Sequence, residues 1–212
     1  MLTLVPPLPN ASAVATDTDG TAVLQLPALR DFVVRGRLAP RYQDLFIVGR
    51  AGRTRFNYTT YMGTRLEAAA LARLIGVPYN TSRGYIVIGL DRLRDPSAGL
   101  APSNLLPAVG SSAVVTGING SAPFVFAGGL WPMRGRTISP TSSSFVTFPG
   151  MAAASPGFAS AVPPVGQVCE VSPAMTEGTD AQAVRAYPDA VTVVSFVCRN
   201  RTAVPRVSVL AE

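Results

Sequence analysis

Glycine and proline punctuate this chain so densely that they decide its fold class. Nineteen of each are spread over 212 residues. Proline inside a helix removes a donor and clashes with the preceding turn, and glycine there forfeits backbone entropy. Between the breaks lie short apolar runs rich in Val, Ile, Phe, Tyr and Thr, the composition of a pleated, half-buried surface. Candidate strands are Ala22–Leu26, Phe32–Leu38, Asp44–Gly49, Arg55–Tyr61, Tyr85–Leu90, Ala113–Ile118, Pro123–Ala127, Phe145–Phe148, Val165–Val171, Ala190–Cys198 and Val204–Leu210. Their spacing, with turn residues between, predicts an all-β sandwich or barrel. The absence of a repeat period argues against a solenoid or propeller.

Two segments depart from that pattern. Thr64-Arg65-Leu66-Glu67 fits a capping box, in which the Thr and Glu side chains satisfy orphan helix amides reciprocally. The following Ala68–Ile75 favours helix, and Gly76 and Pro78 end it. One helix of about three turns is predicted between strands, with Leu66, Ala70, Leu74 and Ile75 on one face. Residues 1–20, rich in Pro, Ala, Ser and Thr, predict an extended arm, leaving 21–212 as a single domain.

Charge is scarce. Charged residues make up 14% of the chain and apolar residues 48%, where about 25% charged is usual. Disorder is excluded, because disordered chains are charge-rich and apolar-poor. So little charge clothes a monomer poorly and points to subunits covering one another. The net +6 is uneven: residues 30–94 hold twelve Arg against four acids, whereas 38 uncharged residues separate Asp95 from Arg134 and 33 run from Thr137 to Cys169. Pro, Gly and Ser interrupt both stretches, so neither reads as a membrane span. They read as core with neutral turns, or as loops packed on neighbouring subunits.

The chain has no His, and all 18 basic residues are Arg. No Ser-His-Asp relay, imidazole ligand, P-loop lysine or Schiff base can be built. Two Cys cannot form a structural zinc site. What survives is carboxylate chemistry from 8 Asp and 4 Glu, or a cofactor held by backbone groups. No paired-carboxylate motif stands out, so the expectation is a non-enzyme without metal or cofactor.

Arg30, Arg35, Arg37, Arg41, Arg50, Arg53 and Arg55 form the densest cluster, with Tyr42 and Phe56 close by. Guanidinium groups grip phosphate bidentately, so the cluster is a candidate for non-sequence-specific RNA contact. The competing reading is a solvated strand face with ion pairs. Trp131, the only Trp, with Met133 two residues on, is a candidate subunit contact, or else core. Met1–Val5 runs straight into Pro6, Pro7 and Pro9 without a basic or long apolar segment. That predicts a non-secretory setting in which Cys169 and Cys198 stay reduced as small buried hydrophobes, a disulfide being the alternative. Five of the six Asn (Asn10, Asn57, Asn80, Asn119, Asn200) begin an Asn-x-Ser/Thr sequon, which reads as turn composition or as glycan acceptors.

The stretch Leu71–Ser97, with Pro78–Gly84, the hydrophobic run Tyr85–Leu90 ending in Asp91, and Asp95-Pro96, is similar to a pattern in which a strand runs into a Pro/Thr/Ser/Gly loop, then a hydrophobic strand ending in Asp and an Asp-Pro-type loop. With the arm and the charge-poor surface, it resembles the coat proteins of small icosahedral positive-strand RNA viruses, of single jelly-roll type. Tyr61, Leu66-Glu67 and Asn80–Ser82, and the glycine-rich hairpin at Thr116–Gly120 and Phe124–Met133, are most similar to tymovirus-like coat proteins. The resemblance covers roughly residues 40–135. It implies an eight-stranded jelly-roll β-sandwich with an N-terminal arm and one short inserted helix. It further implies a virion component that self-assembles in many copies around genomic RNA, with no membrane partner. Two rivals stand beside it: a glycosylated, secreted or surface β-sandwich binding module, and an accessory capsid or tail protein of a DNA phage.

Overall fold

The computed structural model describes residues 2–4, 14–18, 21–38, 40–53, 62–95, 100, 102–128, 131–175 and 180–201. The expected strands at Arg55–Tyr61 and Val204–Leu210, and Arg55 of the arginine cluster, lie outside them. The described residues are all-β apart from one helix and a 3-10 turn. The strands are β1 (Leu2–Leu4), β2 (Asp31–Gly36), β3 (Asp44–Arg50), β4 (Arg83–Leu93), β5 (Leu105–Pro107), β6 (Ser112–Thr116) and β7 (Phe124–Ala127). They continue with β8 (Trp131–Arg134), β9 (Ser142–Ala152), β10 (Pro156–Val162), β11 (Gln167–Val171), β12 (Ala181–Arg185) and β13 (Ala190–Asn200). The helix α1 spans Arg65–Leu74.

Ten strands form one sheet in the order β1-β2-β3-β13-β4-β9-β7-β8, with β11 also on β13 and β5 on β4. The order β12-β10-β6 makes a three-stranded sheet. The two pack as a sandwich. Ile86, Ile88 and Leu90 of β4, Val146 and Phe148 of β9 and Val194 and Phe196 of β13 share one core with Ala113, Ala159, Ala161 and Val184 of the small sheet. Small residues on the small-sheet side let the layers approach closely. Within the small sheet, Gly157 of β10 is held so close to its neighbour β6 that a Cβ there would stand 2.3 Å from the Thr116 carbonyl oxygen.

Strand β13 is central and runs parallel to both β3 and β4. Its sequence Val-Thr-Val-Val-Ser-Phe-Val-Cys is near-continuously apolar, as a strand covered on both faces requires. The strand count and these two parallel pairings differ from an eight-stranded jelly roll, whose sheets are antiparallel. Residues 22–26, expected as a strand, form no ladder; Leu24 and Leu26 instead pack with Leu2 and Ile47 on a second small core of Phe32, Val34 and Ala51.

The capping box is present: Thr64 Oγ1 accepts from the Glu67 amide at 3.2 Å, and the Thr64 amide donates to Glu67 Oε2 at 2.7 Å. The expected apolar face is not the buried one. Leu66 and Leu74 are 80% and 53% exposed, whereas Ala68 and Ala72 are buried. The helix seats on its two alanines, four residues apart on one face, because small side chains permit the closest approach.

Candidate subunit and nucleic-acid surfaces

The register of β2 on β3 pairs Asp31 with Arg50 and Gly36 with Leu45. It thereby splits the arginine cluster. Arg30, Arg50 and Arg53 gather at one end of the pair, and Arg35, Arg37 and Arg41 at the other, roughly 17 Å away at about 3.4 Å per residue. Local acids answer much of this charge. The Arg50 guanidinium lies 3.7 Å from Asp31. Asp44 accepts from Arg35 through two guanidinium nitrogens, one of them Nε at 2.9 Å, and has Arg37 3.9 Å away. Arg35 also lies over Phe46 at 5.7 Å, and Phe46 stacks on Tyr187 at 3.7 Å. Arg30, Arg41 and Arg53 are exposed, with Arg41 over its neighbour Tyr42 at 5.1 Å.

Beside the second group lies a cleft of about 190 Å³ lined by Arg37, Leu38, Tyr42, Asp44, Arg65 and Asp189. Arg65, at the start of α1, reaches the β12–β13 turn, where Asp189 accepts from its Nε at 2.5 Å and from the Tyr79 hydroxyl at 2.7 Å. Burial and the hydrogen bond to Asp189 push the Tyr79 hydroxyl up, and Asp189 raises Arg65 further. Both cleft carboxylates are therefore engaged by arginine. Arg65 and Asp189 are 124 residues apart, so no local pattern in the sequence links them. Among the described residues no three His, Cys, Asp or Glu side chains gather as a metal site.

Strand β8 closes the far edge of the large sheet. Its register sets Trp131 on Ala127 and Met133 on Val125, so both point to the face on which Val125 enters the core. Among the described residues the small sheet packs on β3, β4, β9, β11 and β13, whereas β8 packs chiefly on β7 and overhangs the small sheet. Trp131 is 69% exposed and Met133 42%; core packing, one of the two roles read for Trp131, is not what it does.

Cys169 on β11 and Cys198 on β13 are directly opposed and joined in a disulfide. This corrects the expectation of reduced thiols: antiparallel pairing brings two buried sulfurs together beneath Ser111, whose hydroxyl lies 3.5 Å from the Cys198 sulfur. Asn80 behaves as a turn residue, its Oδ1 accepting from the Ser82 amide at 2.9 Å. Asn119 and Asn200 are exposed.

Asp91 is the buried acid of β4. Burial pushes its carboxyl up to about 6, and a hydrogen bond with Ser144 pulls the other way.

Set against protein-family models, curated proteins and solved structures, the chain matches none of them. The fold defines an all-β protein of two packed sheets, an architecture compatible with a structural or a binding module. No helix among the described residues is long and apolar enough to cross a membrane.

Proposed function

We propose that this chain is a structural subunit that assembles with copies of itself into a closed shell around RNA, the role of the coat proteins its sequence resembles. The observation that carries the reading is the β8 overhang. Trp131 and Met133 stand in solvent as an extension of the core face, on a chain with only 14% charged residues. Exposed aromatic and Met side chains on a charge-poor surface are the composition of interface cores. Two packed sheets supply a rigid plate, and a coat-protein sandwich related to the jelly roll is the finer fold this reading implies. RNA contact then falls to dispersed exposed arginines such as Arg30, Arg41 and Arg53.

A second reading, a secreted or surface binding module, is favoured by the Cys169–Cys198 disulfide, since such bonds persist in oxidising compartments. The mass of the purified full-length protein, by light scattering with negative-stain microscopy, separates the two. Closed particles of megadalton mass are expected. A monomer of 22.1 kDa overturns the shell, and added glycan mass on expression in eukaryotic cells then brings the module forward.

A further inference from the structure

We infer that the outer face of the three-stranded sheet is a two-fold self-association surface, occupied by the same face of a second copy. The inference deepens the shell reading by naming one of its contacts, and a discrete dimer would satisfy it without a shell.

The central strand β10 turns the usual alternation inside out. Its small residues Gly157, Ala159 and Ala161 are buried, while Phe158 and Val162 are 57% and 51% exposed. Antiparallel sheets with one wet face ordinarily place large apolar residues inward. Register sets Phe158 between Ala183 of β12 and Thr116 of β6, and Ser160 between Ala181 and Val114. Of the outward positions on the three strands, Arg185 at one corner is the only charged one. The apolar surface continues past Val162 to Val165, fully exposed on the following turn, and to Val109, 42% exposed.

Three features select a second copy as the occupant. Phe158, paired with Ala183, lies beside the axis that sets Arg185 against Asp180, so the two copies' phenyl rings meet over small neighbours at the centre of the contact, as paired anchors do in an isologous interface. Charge is self-complementary as well: exposed Asp180 and Arg185 mark opposite ends of β12. A two-fold axis lying between the two faces and running across β12 reverses the strand and brings Arg185 of each copy beside Asp180 of the other, a residue that just precedes the strand. Ion pairs then fall at the rim around an uncharged centre. Finally, five paired residues on three strands span roughly 17 by 10 Å. That is a fitting centre for a contact that the Val109, Val162 and Val165 margin widens toward about 800 Å² per partner.

The test is sedimentation of the full-length protein over a concentration series, with Phe158→Asp and Ala183→Arg, both exposed positions, checked for unchanged circular dichroism. Each substitution is expected to weaken association at least tenfold. Arg185→Asp is expected to weaken it too, and Asp180→Arg added to that variant to restore it, a rescue that a purely local role does not produce. Wild-type shells with variants that stop at smaller species support both this contact and the shell. Wild-type shells with equally assembling variants overturn this contact and leave the shell standing. A wild-type dimer made monomeric by Phe158→Asp supports the contact and overturns the shell; a wild-type monomer at every concentration overturns both.

Discussion

Asp91 sits in a position where a charge is costly. It lies on the β4 face that includes Gly89, directly opposite Val197 of β13 and Pro107 of β5, and only 8% of it reaches solvent. Its carboxyl ionises near 6 in the folded chain against an ordinary 3.8. In that window the folded state keeps a proton that the unfolded chain has released. Stability therefore falls as pH rises through about 4 to 6, by on the order of 3 kcal/mol. Asp91→Asn is expected to match the parent near pH 4, to be the more stable near neutrality, and to lose the slope between. Urea unfolding at several pH values checks this, and parallel profiles for the two proteins would count against it. The sequence showed this Asp at the end of an apolar run. Its burial was not legible, because the expected strand stopped at Leu90 whereas the ladder continues to Leu93 and carries Asp91 into the sheet.

At the scale of elements, the disulfide ties β11 to the central strand across 29 residues. Closing a loop of that length restricts the unfolded chain, which corresponds to about 3.5 kcal/mol. Replacing Cys169 and Cys198 together by Ala is expected to lower the urea midpoint and to steepen the slope, because the unfolded chain without the tie exposes more surface. Equal midpoints with and without reductant in the parent would show that the bond contributes nothing. The strands that sequence patterning identified are those built from large β-branched and aromatic residues: β2, β3, β4 and β13 among them. Those it missed obey other rules. In β10 the alternation is present but inverted, with Ala inside and Phe outside, so a search for large inward residues passes over it. Strand β12 is Ala-Gln-Ala-Val-Arg, too polar to look like core, and β8 holds a proline, tolerated because β8 is an edge. The placement of β13 between β3 and β4 follows from long-range pairing that no local window contains. The two candidate sites divide the same way. Trp131 and Met133 were recognisable as residue types, whereas the splitting of the arginine cluster follows from the β2–β3 register, and the Arg65–Asp189 contact from the tertiary fold.

For the whole molecule, the question is what would hold a shell together. The net charge is +6, yet Arg35, Arg37, Arg50, Arg65 and Arg199 each lie within 4 Å of an Asp or Glu in their own chain. Their charge is already partly answered before any phosphate arrives. On the β2–β3 pair and its flanks, Arg30, Arg41 and Arg53 are exposed and make no such pair among the described residues. Three phosphate contacts from these residues contribute only a shallow salt dependence, a slope of about −2 in log affinity against log salt for single-stranded RNA. The apolar surfaces, by contrast, lose nothing as salt rises, because hydrophobic association is not screened. Assembly carried by Trp131, Met133 and the Phe158 face is therefore expected to proceed without nucleic acid and to survive salt that strips RNA from the particle. Nuclease-treated, RNA-free protein followed by light scattering across a salt series measures this directly. Trp131→Ala combined with Met133→Ala is expected to reduce particle yield at every salt concentration. Particles that form only with RNA, and dissolve completely as salt rises, would instead assign the cohesion of the shell to arginine and phosphate.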